Sequence, residues 1–260
     1  MESIYSLSLK DLEEYLSSHE EKAFHAKQLY RWIYDKRIDD FAMMSDISKH
    51  LLEKLQQDFT IDRLIIKEKQ VSKDGTQKYL FELSDGCLIE SVLMIFDYGF
   101  SVCVSSQVGC NMGCRFCASG LLKKQRNLTP GEIVLQVLMI QKELDQKDLR
   151  LGNIVVMGTG EPFDNYDNVM KAMNIINDPY GLKIGARHIS ISTCGLVPGI
   201  ERFSKENLQY NLAISLHAPN NELRSSLMPV NNAYPLEELF QALKNYSKDN
   251  NRRLTLNTCC

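Results

Sequence analysis

Apolar positions early in the chain recur at helical spacing. Leu29, Trp32 and Ile33 fall at i, i+3 and i+4, and Ile47, Leu51 and Leu55 follow at four-residue spacing, so residues 9–58 read as helical. Lys27, Arg31 and Tyr34 lie on the arc opposite the first apolar face, and that polar arc is assigned to solvent. From Arg63 the period changes to short β-type runs at 64–71, 78–83 and 87–96. They are separated by the turn dipeptides Asp74-Gly75 and Asp85-Gly86. A small unit of helices followed by β-hairpins is therefore expected over residues 1–97.

Beyond it, strand and helix patterns alternate. Strands are expected at 101–105, 153–157, 188–192 and 212–216, with another beginning near 253; helices are expected at 130–144, 166–177, 198–204 and 235–246. The first of these helices has a full start signal, with Thr129 as cap, Pro130 in the first position and Glu132 closing a capping box. Such alternation implies an α/β fold with a parallel sheet, expected over 98–260, and ligands at the carboxyl ends of its strands.

Composition adds a boundary rather than a function. The chain has 260 residues, 44% hydrophobic and 24% charged, an ordinary globular balance that excludes a disordered or collagen-like polypeptide. The net charge of -3 advertises no nucleic-acid partner. That total conceals an asymmetry: residues 1–97 are net acidic and residues 98–260 net basic, so the later part is the better place for an anionic ligand. No signal-peptide core and no membrane span are visible, which makes the cytosol the default location. In that reducing compartment, clustered cysteines point to metal or catalysis rather than to disulfides.

The informative cluster is Cys110-Asn-Met-Gly-Cys114-Arg-Phe-Cys117, directly after the first strand of the alternating region. Three thiolates in eight residues are too few for a closed structural zinc site, which takes four ligands. They suit a [4Fe-4S] cubane with one iron left open for a small molecule. A zinc site borrowing Cys103 or Cys87 is the alternative. Elsewhere, Gly158-Thr-Gly160-Glu161-Pro162 ends the second strand, where glycine lets backbone approach a ligand and Glu161 can accept from an ammonium group. Ser192 and the triplet Ser215-Leu216-His217 end the third and fourth strands. Glu90 stands alone in an apolar strand, and Cys103 alternates with valines as a core residue would. Lys123, Lys124 and Arg126, and farther on Arg187 and His188, are positioned to hold phosphates.

The string Cys103-Val-Ser-Ser-Gln-Val-Gly-Cys110-Asn-Met-Gly-Cys114-Arg-Phe-Cys117-Ala-Ser-Gly resembles the radical-SAM superfamily, and within it the RlmN/Cfr family of RNA adenine methyltransferases, on the RlmN side. The likeness runs from about residue 20 to Arg253 and implies a partial (βα) radical-SAM barrel behind a small accessory domain that can contact RNA. It implies Cys110, Cys114 and Cys117 as ligands of a [4Fe-4S] cluster. Gly160, Glu161, Ser192, Ser215, Leu216 and His217 would contact S-adenosyl-L-methionine (SAM). It further implies Glu90 as proton acceptor, and Cys103 as the thiol that pairs transiently, by a disulfide, with a second catalytic cysteine. Two SAM molecules would serve each methylation of adenosine, at carbon 2, in 23S rRNA and tRNA, with electrons from an external donor. A monomer is expected. A zinc-stabilised RNA-binding module and a different radical-SAM enzyme, such as a glycyl-radical activator, are the competing readings.

The family pattern holds through Asn251-Arg252-Arg253 and is lost from Leu256 onward. The resemblance therefore implies a barrel cut near its fifth strand, without the cysteine that becomes methylated, and a chain that binds the cluster but does not methylate RNA. Cys194, Cys259 and Cys260 receive no role.

Overall fold

The computed structural model describes residues 1–258 other than Asn207 and Asn251; of the sequence expectations, Asn251, Cys259 and Cys260 lie outside the described residues. Strand β1 (Glu2–Ser3) pairs in parallel with β2 (Phe59–Thr60), closing a loop that contains helices α1 (Leu9–Ser18), α2 (Phe24–Tyr30) and α3 (Lys49–Asp58). Ser8 caps α1, accepting from Asp11 N at 3.1 Å while the Asp11 carboxylate accepts from Ser8 N at 2.8 Å. Leu29, Trp32, Ile33, Ile47, Leu51 and Leu55 are buried, as their spacing predicts, and Leu12 and Leu16 of α1 join them.

Tyr34 corrects the solvent assignment of its arc, because it is buried at 1% exposure while Lys27 and Arg31 stay exposed. The cause is a π-helical turn, Arg31–Asp35, continuing α2. A wider turn shifts each later residue around the axis, so a 3.6-residue period misplaces Tyr34.

An eight-stranded sheet follows, antiparallel along one side and parallel along the other. Its antiparallel part comprises β3 (Ile65–Val71), β4 (Gln77–Glu82), β5 (Leu88–Phe96) and β6 (Gly99–Cys103). Gly75 and Gly86, at φ +86° and +83°, make the two tight turns as the Asp-Gly pairs predict. Next comes a short antiparallel pair, β7 (Gln107–Val108) and β8 (Arg126–Asn127). The parallel part then runs through α4 (Pro130–Asp145), β9 (Leu151–Val156), α5 (Tyr166–Asn177), β10 (Ile189–Thr193), α6 (Val197–Lys205), β11 (Asn211–Ser215), α7 (Asn221–Leu227), α8 (Leu236–Asp249) and β12 (Leu254–Asn257). Element ends fall within three residues of expectation; α7 alone among these helices was not anticipated.

Strands β6, β9, β10, β11 and β12 are laid down side by side in chain order, all parallel. Right-handed crossovers in one direction put every connecting helix on the same face, which curls the sheet into a partial (βα) barrel. The helix-side positions Val102, Val104, Ile154, Val156, Ile189, Ile191, Leu212 and Ile214 are all buried. Alternation sends Cys103, Val155, Ser190, Ser192 and Ser215 to the concave face. Cys103 is therefore not a helix-side core residue; it is half-buried and stands in register with Val92 and Val155.

The expected boundary at 97/98 falls in the turn between β5 and β6, which are hydrogen-bonded neighbours, so the hairpins continue the barrel sheet. The N-terminal helices share one apolar core with the barrel. Gly131 N donates to Ser6 Oγ at 3.0 Å, and a Cβ on Gly131 would lie 2.8 Å from that oxygen, so the approach requires glycine.

Candidate cofactor-binding site

The loops leaving β6, β9, β10 and β11 converge on a cavity of about 200 Å³ lined by Cys110, Cys114, Cys117, Gly160, Glu161, Ser192 and Ser215. Seven expected site residues, scattered over a hundred positions, thus share one space at the carboxyl ends of the strands.

The cysteine loop is tied down on both sides. Gly109, at φ +75°, lets the backbone pass so close to residue 123 that a Cβ would lie 2.2 Å from Lys123 O. Cys110 N donates to Leu122 O at 2.9 Å, and Arg115 N donates to Leu227 O at 2.9 Å at the end of α7. Ser119 and Thr159 hydroxyls lie 3.2 Å apart, joining this loop to the glycine turn after β9. Burial pushes the Cys110 thiol up, and pushes Cys114 up to about 11, with the neighbouring thiols adding to the rise. Thiols crowded in this way resist losing protons until a cation arrives to bind them.

Among the described residues no three His, Cys, Asp or Glu side chains converge tightly enough to hold a single metal ion. A tetrahedral zinc would need its sulfurs within about 3.8 Å of one another. A cubane instead takes each cysteine on a separate iron and so suits three thiols spread around one cavity. The donor set fits the cluster. All six described cysteines are free.

Glu161 is buried, with Oε1 accepting from Phe163 N at 3.0 Å and Oε2 from Cys194 N at 2.8 Å. Burial pushes its carboxyl above the ordinary value, and those two N–H bonds oppose the rise. Its backbone N donates to the buried Gln107 Oε1 at 2.9 Å. The side chains of Thr193 and Cys194 also bond to this carboxylate, which therefore sits fixed in the cavity wall. Gly160 has φ +113°, and a Cβ there would lie 2.6 Å from Ser106 Oγ, so this turn admits only glycine.

Leu216 and His217 border the cavity rather than line it. Both backbone N–H groups donate to Asn257 O, at 3.0 and 3.1 Å, and the His217 ring meets the Phe116 ring edge-on at 4.6 Å. Burial, aided by the Arg224 charge, lowers the His217 pKa.

Glu90 lies in an adjoining cavity of about 650 Å³ that shares Ser119 with the first and also includes Cys87, Val108, Lys123 and Thr159. Its carboxylate pairs with Lys78 at 2.9 Å. Cys103 lines neither cavity, and burial pushes its thiol up to about 11.

Two of the expected phosphate-holding cations are already committed. Lys124 Nζ donates to Asp164 at 2.7 Å, and Arg126 forks onto Glu132 at 2.7 and 2.8 Å while also reaching Asp85. These bonds brace the loop, which corrects the phosphate assignment for both; Lys123 stays exposed. His188 Nδ1 lies 3.0 Å from Asn153 Oδ1, at the sheet's opposite end.

Sequence reasoning missed Cys194, Met112, Met228 and Asn257, all of which line the first cavity. Cys194 has a signal in hindsight, two residues beyond Ser192 at the same strand end. Met228 has none, because α7 was not foreseen.

Comparisons with known proteins agree with this architecture. Residues 3–61 match the family described as ribosomal RNA large subunit methyltransferase N-terminal domain, and residues 104–259 match the radical SAM superfamily. The chain is 54% identical over 255 residues to a protein of Streptococcus suis and over 256 residues to one of Enterococcus faecalis. Each is called a probable dual-specificity RNA methyltransferase RlmN. Those alignments cover 97% and 98% of this chain, and 69% and 72% of the relatives. A crystal structure of a radical SAM methyltransferase from Sphaerobacter thermophilus superposes with a TM-score of 0.93 at 41% identity, covering 99% of this chain and 76% of that one.

Proposed function

Because the chain belongs to the RlmN family of radical-SAM RNA methyltransferases, whose cofactors are a [4Fe-4S] cluster and SAM, we propose that it serves methylation of adenosine at carbon 2 in 23S rRNA and tRNA. The observation that carries this reading is the convergence of Cys110, Cys114 and Cys117 with Gly160, Glu161, Ser192 and Ser215 around one cavity.

In this reading each of the three cysteines holds one iron. The bound cluster supplies the electron that cleaves SAM, chemistry that belongs to the cofactor and not to any side chain. Gly160 leaves room for the methionine end of SAM, whose ammonium is drawn to the buried carboxylate of Glu161. Ser192 and Ser215 offer hydroxyls to the ribose or base, and Leu216 and His217 hold the edge of that pocket. Glu90, beside Lys78, accepts the proton released from adenine. Cys103 keeps its proton at neutral pH, as its burial dictates, until it resolves the protein–RNA adduct by transient disulfide formation with a second cysteine. Two SAM molecules are used per methyl group, and an external donor supplies electrons.

RNA is the partner, with the accessory unit at 1–97 as a further contact surface and the cytosol as the location. The protein works as a monomer. No helix among the described residues is long and apolar enough to cross a membrane.

Anaerobic reconstitution tests the assignment. The expected protein is brown, carries about four irons and four sulfides, and cleaves SAM to 5'-deoxyadenosine. Cys110→Ala, Cys114→Ala and Cys117→Ala each abolish all three properties. Methyl transfer is then read on a 23S rRNA fragment and on tRNA; with the family pattern lost from Leu256 onward, SAM cleavage without methyl transfer is the expected result. Colourless protein retaining one zinc per chain would overturn the reading.

A further inference from the structure

Arg224 is fully buried, at 0% exposure. Among the described residues its guanidinium bonds to no carboxylate. Nη2 donates to Cys194 O at 2.6 Å and to Ser215 O at 3.3 Å, Nε to Leu216 O at 3.2 Å, and Nη1 to Asn231 Oδ1 at 2.9 Å. Three of these four acceptors are main-chain carbonyls at the ends of β10 and β11, where Ser192, Cys194 and Ser215 line the cofactor cavity. The backbone is drawn tightly onto the guanidinium: Gly195 has φ +104°, and a Cβ there would lie 3.1 Å from Nη2.

Neutral carbonyls satisfy the donors but do not balance the charge, and among the described residues no counter-ion does; a buried uncompensated charge is costly. Through its bond to Cys194 O the guanidinium stands directly behind the wall of the cavity that Cys194 shares with Cys110, Cys114 and Cys117. Three thiolates on a dicationic cubane core form a net negative group, and reduction adds one more negative charge. A fixed cation behind the cavity wall offsets that charge in a medium where screening is weak.

We infer that Arg224 is a positioning residue with two effects: its fork sets the ends of β10 and β11 at the spacing SAM requires, and its charge favours the reduced state of the cluster. The inference rests on the cluster assignment above. Asn231 orients the fork, since its amide donates to Ser225 Oγ at 2.8 Å and to Asn221 Oδ1 at 3.1 Å while its oxygen receives Nη1.

The test compares reconstituted wild type with Arg224→Met, Arg224→Lys and Asn231→Ala. Three quantities are read: the cluster midpoint potential by dye-mediated titration with electron paramagnetic resonance, SAM affinity by calorimetry, and folding by circular dichroism. Arg224→Met removes fork and charge, so its potential becomes more negative and SAM binds about tenfold more weakly. Arg224→Lys keeps the charge and loses the fork, so the potential stays near wild type while SAM binding weakens to a similar degree. Asn231→Ala weakens SAM binding several-fold with no change in potential. A residue that only stabilised the fold would lower the melting temperature in all three variants and move neither other quantity; that result overturns the inference. Should Arg224→Met fail to fold, wild-type SAM affinity in both Arg224→Lys and Asn231→Ala overturns it equally. A wild-type protein that takes up no cluster sinks the site assignment and this inference together, whereas loaded wild type with unresponsive variants sinks this inference alone.

Discussion

Gln136 has no exposed surface and four hydrogen bonds. Its Oε1 accepts from Ser91 Oγ and Ser105 N, both at 2.8 Å, and its Nε2 donates to Ser105 O at 3.1 Å and Glu132 O at 3.3 Å. Ser105 in turn donates to Glu90 O at 2.6 Å and accepts from Thr159 N at 3.0 Å, so one glutamine in α4 indirectly sets the distance between the two cavities. Replacing Gln136 by Leu orphans Ser105 N and should cost about 2–3 kcal/mol, measured by urea denaturation. SAM affinity should fall as well, because the turn at Thr159 loses its reference. Such residues are hard to read from sequence. A glutamine in a helix looks like surface, whereas three cysteines at fixed spacing or a glycine before Glu161 declare a chemistry that other residue types cannot perform.

Elements with a strong local signal form where the pattern places them. The capping box of α4 closes as expected, with Glu132 N donating to Thr129 Oγ1 at 3.2 Å and Thr129 N to Glu132 Oε2 at 2.8 Å. Helix α7 escaped notice because its one buried residue is Arg224, a charge where periodicity looks for an apolar side chain. Helix α1 carries the clearest pH dependence. Burial acts to raise the Asp11 carboxyl, but hydrogen bonds from Lys171 and Ser8 outweigh it and bring the net value below 3.8. A carboxyl with a lower folded than unfolded pKa binds fewer protons when folded. Its stabilisation is therefore complete above 3.8 and fades as pH falls below it toward the folded value. Asp11→Asn should cost about 0.5–1 kcal/mol at neutral pH, the worth of a cap and a half-exposed ion pair. The gap to wild type should close on acidification through that range, as thermal melts at graded pH would register.

At the scale of the whole molecule, the accessory helices and the barrel share one core, joined by the Ser6–Gly131 contact and by ion pairs of Lys171 with Asp11 and Lys183 with Asp35. Fluorescence of the single tryptophan, Trp32, reports the N-terminal helices, and far-UV dichroism reports the sheet and the barrel helices. The two denaturation curves should coincide; separate midpoints would show that the accessory unit unfolds independently. Gly131→Ala forces a methyl against Ser6 and should destabilise the protein by about 1–3 kcal/mol in that same single transition. The chain by itself determined the alternation of strands and helices, the tight turns and the cysteine loop, because periodicity, glycine geometry and ligand spacing are local properties. The tertiary structure alone decided which strand ends share a cavity, that Lys124 and Arg126 brace a loop instead of waiting for phosphate, and that Tyr34 and Arg224 are inside. Those outcomes depend on how parallel strands curl and on which partners they bring within bonding distance, and no local pattern encodes either.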